Sequence, residues 1–180
     1  MKTRILSFIF YLISLSSCYA ARIDGPYEGK VIDADTGQPI EGVVVLATWS
    51  RVTVTPGGGV SSYYDAMETV TDNNGEFKIK GLGLLVLSNI EPPYMTVFKA
   101  GYLYDNLFWI PGESSLYSKI KWDGKRAIIP LKKLTMEERR KQLGPSEPPD
   151  EAPKEKIKLI LREINKDRKE QGLGPIDIGR

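Results

Sequence analysis

Few residues in this chain can carry reaction chemistry. It contains no histidine, so the usual general base near neutral pH and the commonest metal ligand are both missing. Ser-His-Asp and Cys-His catalysis and histidine-ligated zinc are therefore excluded within it. The single cysteine, Cys18, cannot close an internal disulfide. Asp33, Asp35 and Asp72, with Asn73 or Asn74, are the oxygen-rich set that suggests calcium, since hard cations want clustered oxygens. Gly37 and Gln38 do not continue a calcium loop and no bidentate Glu follows at the required distance. Turn chemistry is the preferred reading for the three aspartates, with calcium kept as the alternative, and no cofactor is indicated. Asp105 and Glu113 share a loop and could be nominated as a carboxylate pair, but two acids in a loop are common and the enzyme reading is rejected. The richest cluster is aromatic: Tyr102, Tyr104, Phe108, Trp109, Tyr117 and Trp122 lie among polar residues. Such rings combine contact area with a polar edge, so they form either a recognition face for protein or glycan or a plug over one open end of the fold.

The start of the chain gives Cys18 a context. Lys2 and Arg4 precede an apolar run from Ile5 to Leu15 that is interrupted only by Ser7 and Ser14. Its length suits the core of a signal peptide and is short for a membrane-spanning helix, which needs about 20 apolar residues. Leu15-Ser16-Ser17-Cys18 resembles a bacterial lipobox, in which the cysteine becomes the acylated first residue of the mature protein. Residues 1–20 are accordingly expected to be a signal peptide with its lipobox ending at Cys18. Several acyl chains would then hold the protein on a membrane. Tyr19 stands where an inner-membrane retention signal would carry Asp, which favours the outer membrane, with the protein facing the periplasm or the exterior. The alternative is soluble export with cleavage after Ala20.

The elements that must position the remaining residues read as short strands. Tyr27–Asp33 alternates, and Val43–Trp49 is β-branched and apolar. Thr55–Ser62, with Gly57-Gly58-Gly59, reads as a flexible loop, and Arg51–Tyr64 as a long connection. Ala66–Thr71 and Glu76–Lys80 flank a hairpin turn at Asp72-Asn73-Asn74-Gly75. Tyr94–Ala100 and Arg126–Leu131 complete the set, with Pro130 suggesting an edge strand. The expected fold is an all-β, Greek-key-type β-sandwich of about seven strands.

Three segments carry a family resemblance. The first runs from Tyr27 to Val45, through Thr36-Gly37-Gln38-Pro39-Ile40 and Gly42-Val43-Val44-Val45. The second is Thr71, Asp72, Gly75, Phe77 and Ile79; the third is Lys99, Ala100, Gly101 and Tyr102. Together, over residues 24–134, they resemble the carboxypeptidase regulatory-like domain, a transthyretin-like (prealbumin-like) sandwich. Catalytic domains found beside such modules use histidine and glutamate to hold zinc, so the resemblance implies the accessory module alone.

Beyond the sandwich the character changes. Thr135 and Glu138 fit a capping box for a short helix ending near Leu143. Pro145–Pro153 holds four prolines and three acids and reads as a stiff linker. Residues 154–171 read as an amphipathic helix, with Ile157, Ile160, Leu161 and Ile164 on one side. It is stopped by Gly172 and Gly174-Pro175. A formal net charge of +2 supplies no field for nucleic acid. The function expected is a non-catalytic exported envelope lipoprotein presenting a binding or scaffold domain to an unidentified envelope protein or glycan. A soluble secreted glycan- or peptide-recognition module is the alternative.

Overall fold

A computed structural model describes residues 21–112, 119–141 and 152–176. The expected signal peptide with Cys18, most of the proline-rich linker, and Glu113 and Tyr117 lie outside the described residues. Over the described residues the fold is an all-β sandwich with a helical extension, built from ten strands in three sheets. Strands β1 (Ala21–Asp24) and β6 (Gly83–Val86) form a two-stranded ribbon. One four-stranded sheet is ordered β5 (Glu76–Ile79), β2 (Tyr27–Asp33), β10 (Arg126–Leu131), β9 (Lys121–Asp123). The other is ordered β4 (Gly58–Val70), β3 (Val44–Thr55), β7 (Tyr94–Phe98), β8 (Asp105–Phe108). All pairings within these sheets are antiparallel except that of β2 with β10, which brings the first and last strands of the sandwich side by side in parallel.

The period of two along the strands places the core. Val31, Phe77, Ile79, Ala127, Ile129 and Leu131 from the first sheet meet Val43, Val45, Ala47, Trp49, Met95 and Val97 from the second. The intervening side chains of the second sheet are apolar as well. Val44, Leu46, Ala66 and Phe98 form a separate cluster with Ile157, Ile160, Leu161 and Ile164. These belong to the C-terminal helix α2 (Lys158–Glu170) and to the residue just before it, so the amphipathic helix is docked on the outer face of the β3 sheet. Six successive residues of β3, Val44–Trp49, are buried as a result, which accounts for a run that is apolar without alternation.

Polar contacts fasten the helix at both ends. No side chain of its own caps its first turn. Glu68 of β4 accepts from the backbone N–H groups of Leu159 (2.8 Å) and Ile160 (2.7 Å) instead. These donors are orphaned at a helix start and carry the positive end of its dipole. Burial raises the Glu68 carboxyl pKa, and the two N–H bonds pull against that rise. Further along, Glu163 accepts from Ala100 N–H and Asp167 from Gly101 N–H, each at 3.0 Å. The short helix α1 (Met136–Lys141) joins through buried Arg139, which donates to Asp167 (2.5 Å) and Glu170 (2.9 Å).

Three expectations are corrected. Thr55–Ser62 is not a flexible loop. Strands β3 and β4 continue paired to Thr55↔Gly58, so Arg51–Tyr64 forms an extended hairpin arm. Its Val-Thr-Val-Thr stretch is β-branched and suits a pleated strand, and the glycines permit a tight reversal. Pro130 does not mark an edge strand, because β10 lies between β2 and β9. The ladder to β9 ends at Ile128↔Lys121, so the missing N–H of Pro130 falls where that flank is already open. The segment from 154 does not start as α-helix: Lys154–Lys156 is a single 3-10 turn, and α-helix begins at Lys158.

Docking of α2 has a measurable cost. Ile160 is fully buried, so Ile160→Ala is expected to lower unfolding stability by about 2–5 kcal/mol in a denaturant titration. A loss under about 0.5 kcal/mol, the range of ordinary surface substitutions, would mean that the helix does not pack on the sheet.

Candidate functional site

The segment after Gly101 was singled out by its aromatics, and the structure distributes them over separate places. Trp109 is 6% exposed and belongs to the core, which corrects its place in a recognition face. Its ring lies 5.6 Å from Tyr27, 6.0 Å from Phe77 and 5.1 Å from Trp122, edge to face in each case, the arrangement aromatic quadrupoles favour. Trp122 is partly buried and closes that stack, and Tyr102 packs on the same core. Tyr104 packs instead on the cluster under α2. Phe108 is 52% exposed and lies against Tyr94, centroids 5.0 Å apart. The alternation along β8 explains the split between neighbours Phe108 and Trp109: one points outward and the next turns into the core.

What the segment does build is a cleft of about 260 Å3 between the approach to β8 and the end of β10. Leu103, Tyr104 and Asp105 form one wall, Pro130, Leu131 and Lys132 the other, and Ala34 and Lys119 complete it. The walls are held together by backbone bonds from Leu103 N–H to Lys132 and from Ala34 N–H to Leu131, at 2.8 and 2.9 Å. Asp105 is buried and accepts from Asn106 N–H at 3.0 Å. The cleft thus offers an apolar concavity with a buried carboxylate and two lysines at its edge, a lining suited to a small ligand with a few polar groups. Lys132 is engaged by Glu138 at 2.8 Å. Glu138 also accepts from the N–H and hydroxyl of Thr135, completing the capping box of α1.

The aspartates proposed for calcium serve turns. Asp33 accepts from Asp35 N–H, Thr36 N–H and the Thr36 hydroxyl. These bonds, Thr36 N–H first, hold its carboxyl below the usual range. Asp72 accepts from Asn74 and Glu76 N–H, closing the hairpin turn at Gly75. Among the described residues no group of three acidic, histidine or cysteine side chains is placed to hold a metal ion.

Two further features escaped the sequence reading. A broad groove of about 660 Å3 runs between the edges of β4 and β5 and the start of α2. It is lined by Lys78, Lys80, Lys156, Lys158 and Arg162 against Glu68 and Glu155. Lys78 pairs with Glu28 at 2.7 Å, and Lys156 pairs with Asp65. Its cations come from two distant stretches of chain, 78–80 and 156–162, which no local motif reveals. The other feature is the outer face of the β1–β6 ribbon. Its signal was the run Leu82-Gly83-Leu84-Leu85-Val86-Leu87, too apolar for an ordinary loop.

Comparison with protein-family models, with curated proteins and with solved structures finds no match to this chain.

The cleft edge can be checked by titration. The Lys132 ammonium, with the Thr135 N–H and hydroxyl, lowers the Glu138 carboxyl to about 2. A group depressed in the folded state contributes stability above its unfolded value, and that contribution is lost as pH falls toward about 2. Carbon-detected NMR should show Glu138 titrating far below the other glutamates, and Lys132→Ala should move it back up. An ordinary midpoint in the wild type would show that the Lys132–Glu138 contact does not form.

Proposed function

We propose that this chain is a non-catalytic, exported envelope lipoprotein whose β-sandwich presents a binding or scaffold surface. The observation that carries the proposal is the short distance between the anchor motif and the folded body. Leu15-Ser16-Ser17-Cys18 follows an apolar run, and strand β1 begins at Ala21, three residues beyond the cysteine. Acylation at Cys18 would hold the body directly against a bilayer.

The rest of the reading is consistent with this placement. Lack of histidine removes the commonest catalytic base. The three segments that resemble a carboxypeptidase regulatory-like domain fall on β2 with its following turn and β3, on the Asp72–Gly75 turn with β5, and just after β7. They support an accessory, non-catalytic module. The cationic groove and the cleft beside Asp105 are the concave surfaces open to an envelope protein or glycan. Among the described residues no helix is long and apolar enough to cross a membrane, so in this reading membrane attachment is the work of the lipid. Tyr19 in place of Asp favours the outer membrane.

Metabolic labelling with an alkynyl fatty acid in a bacterial host tests the anchor. Wild type should take up label and partition with membranes, and Cys18→Ala should lose both. An unlabelled, freely soluble wild type would leave soluble secretion as the reading.

A further inference from the structure

The ribbon at the start of the fold carries exposed aliphatic side chains grouped together. Ile23 is 77% exposed, Leu84 69%, Val86 58% and Leu87 82%. Register explains the grouping: Ile23 is paired with Leu84 and Ala21 with Val86, and directly opposed residues of an antiparallel pair share a face. The intervening residues turn the other way. Leu85 packs on the main core, and Asp24 is buried, accepting from the Tyr27 hydroxyl (2.7 Å) and Leu82 N–H (2.9 Å). The ribbon is thus fixed to the sandwich by its inner face while its outer face is offered to the surroundings. Leu87, just past β6, is exposed beside that face and has φ +48°, a backbone region that costs a bulky residue steric energy. Aliphatic patches of this kind mark contact surfaces.

We propose that this face is a membrane-contact surface that rests on the lipid interface beside the anchor. The proposal rests on acylation at Cys18, and the chain length selects the occupant. Ile23 is the fifth residue after Cys18, and an extended chain covers at most about 3.6 Å per residue. The apolar face is therefore held within roughly 18 Å of the anchored cysteine. A tether this short makes the bilayer the apolar phase of highest effective concentration for the patch. Seating the ribbon gives the body a fixed orientation, where a lipid alone would leave it free to swivel.

Polarity-sensitive fluorescence reads this directly. The full chain is purified from membranes and returned to phosphatidylethanolamine–phosphatidylglycerol vesicles. An NBD probe is placed through Leu87→Cys or, as a control on the hairpin arm, through Val54→Cys, which is also highly exposed. The expected result is a blue-shifted, several-fold brighter Leu87 probe that brominated lipid quenches, with an aqueous Val54 probe. An aqueous Leu87 probe on acylated protein overturns the membrane-contact surface while leaving the anchor intact. Loss of fatty-acid label instead marks failure of the anchor, and the Leu87 probe in the same vesicles still decides whether the ribbon meets lipid. Brightening that depends on protein concentration and is indifferent to brominated lipid overturns the proposal in favour of a second copy of the chain. The pair Leu84→Ser and Val86→Ser, read at the Leu87 probe, should weaken the lipid signal without altering the Val54 probe.

Discussion

Burial of β3 on both faces is the constraint on which the rest of the structure depends. Val45, Ala47 and Trp49 face the opposing sheet, while Val44 and Leu46 face the C-terminal helix. A strand with two apolar faces must be covered twice. The opposing sheet provides one cover, and the chain past residue 152 provides the other. The helix is thus a third layer of the domain, fastened by Glu68 at its start and by Asp167 and Arg139 near its end.

Past Trp49 the same strand serves a different purpose. The ladder between β3 and β4 shifts register between Trp49 and Ser50, and a bulge of this kind bends a strand and increases its twist. Beyond it the hairpin leaves the core and becomes an arm whose side chains are mostly exposed. Its base is tied by backbone bonds between Val52 N–H and Asn89 and between Glu91 N–H and Ser50. The β1–β6 ribbon is the second element that leaves the sandwich, and it is held by Asp24 and Leu85. The two projections have different characters: polar and β-branched in the arm, aliphatic in the ribbon.

Much of the sandwich was legible because its signals are local. Asp72-Asn73-Asn74-Gly75 forms the expected turn, with Gly75 at φ +72° and its ideal Cβ position 2.4 Å from the Val31 carbonyl. Strand β2 occupies Tyr27–Asp33 as its alternation predicts, and Thr135 with Glu138 makes the capping box. Features that depend on distant partners were not legible. The aromatics after Gly101 leave a recognition face and a packing plug both open, and only the fold places Tyr27, Phe77 and Trp122 around Trp109. Pro130 looked like an edge residue because a proline rule takes no account of how short β9 is. Three glycines after Pro56 suggested a loose loop, whereas a hairpin of alternating Val and Thr needs only a tight reversal there. The cationic groove draws on β5, the 3-10 turn and α2, so no window of sequence contains it.

Sheet and helix share one buried cluster and are expected to unfold as a single cooperative unit. Native-state hydrogen exchange on the wild-type protein tests this unity most directly. Amides of Leu161 to Ile164 in α2 and of Val45 to Ala47 in β3 should exchange with the same free energy, that of global unfolding. Exchange of the helix amides by a much lower-energy local opening, with β3 still protected, would contradict it.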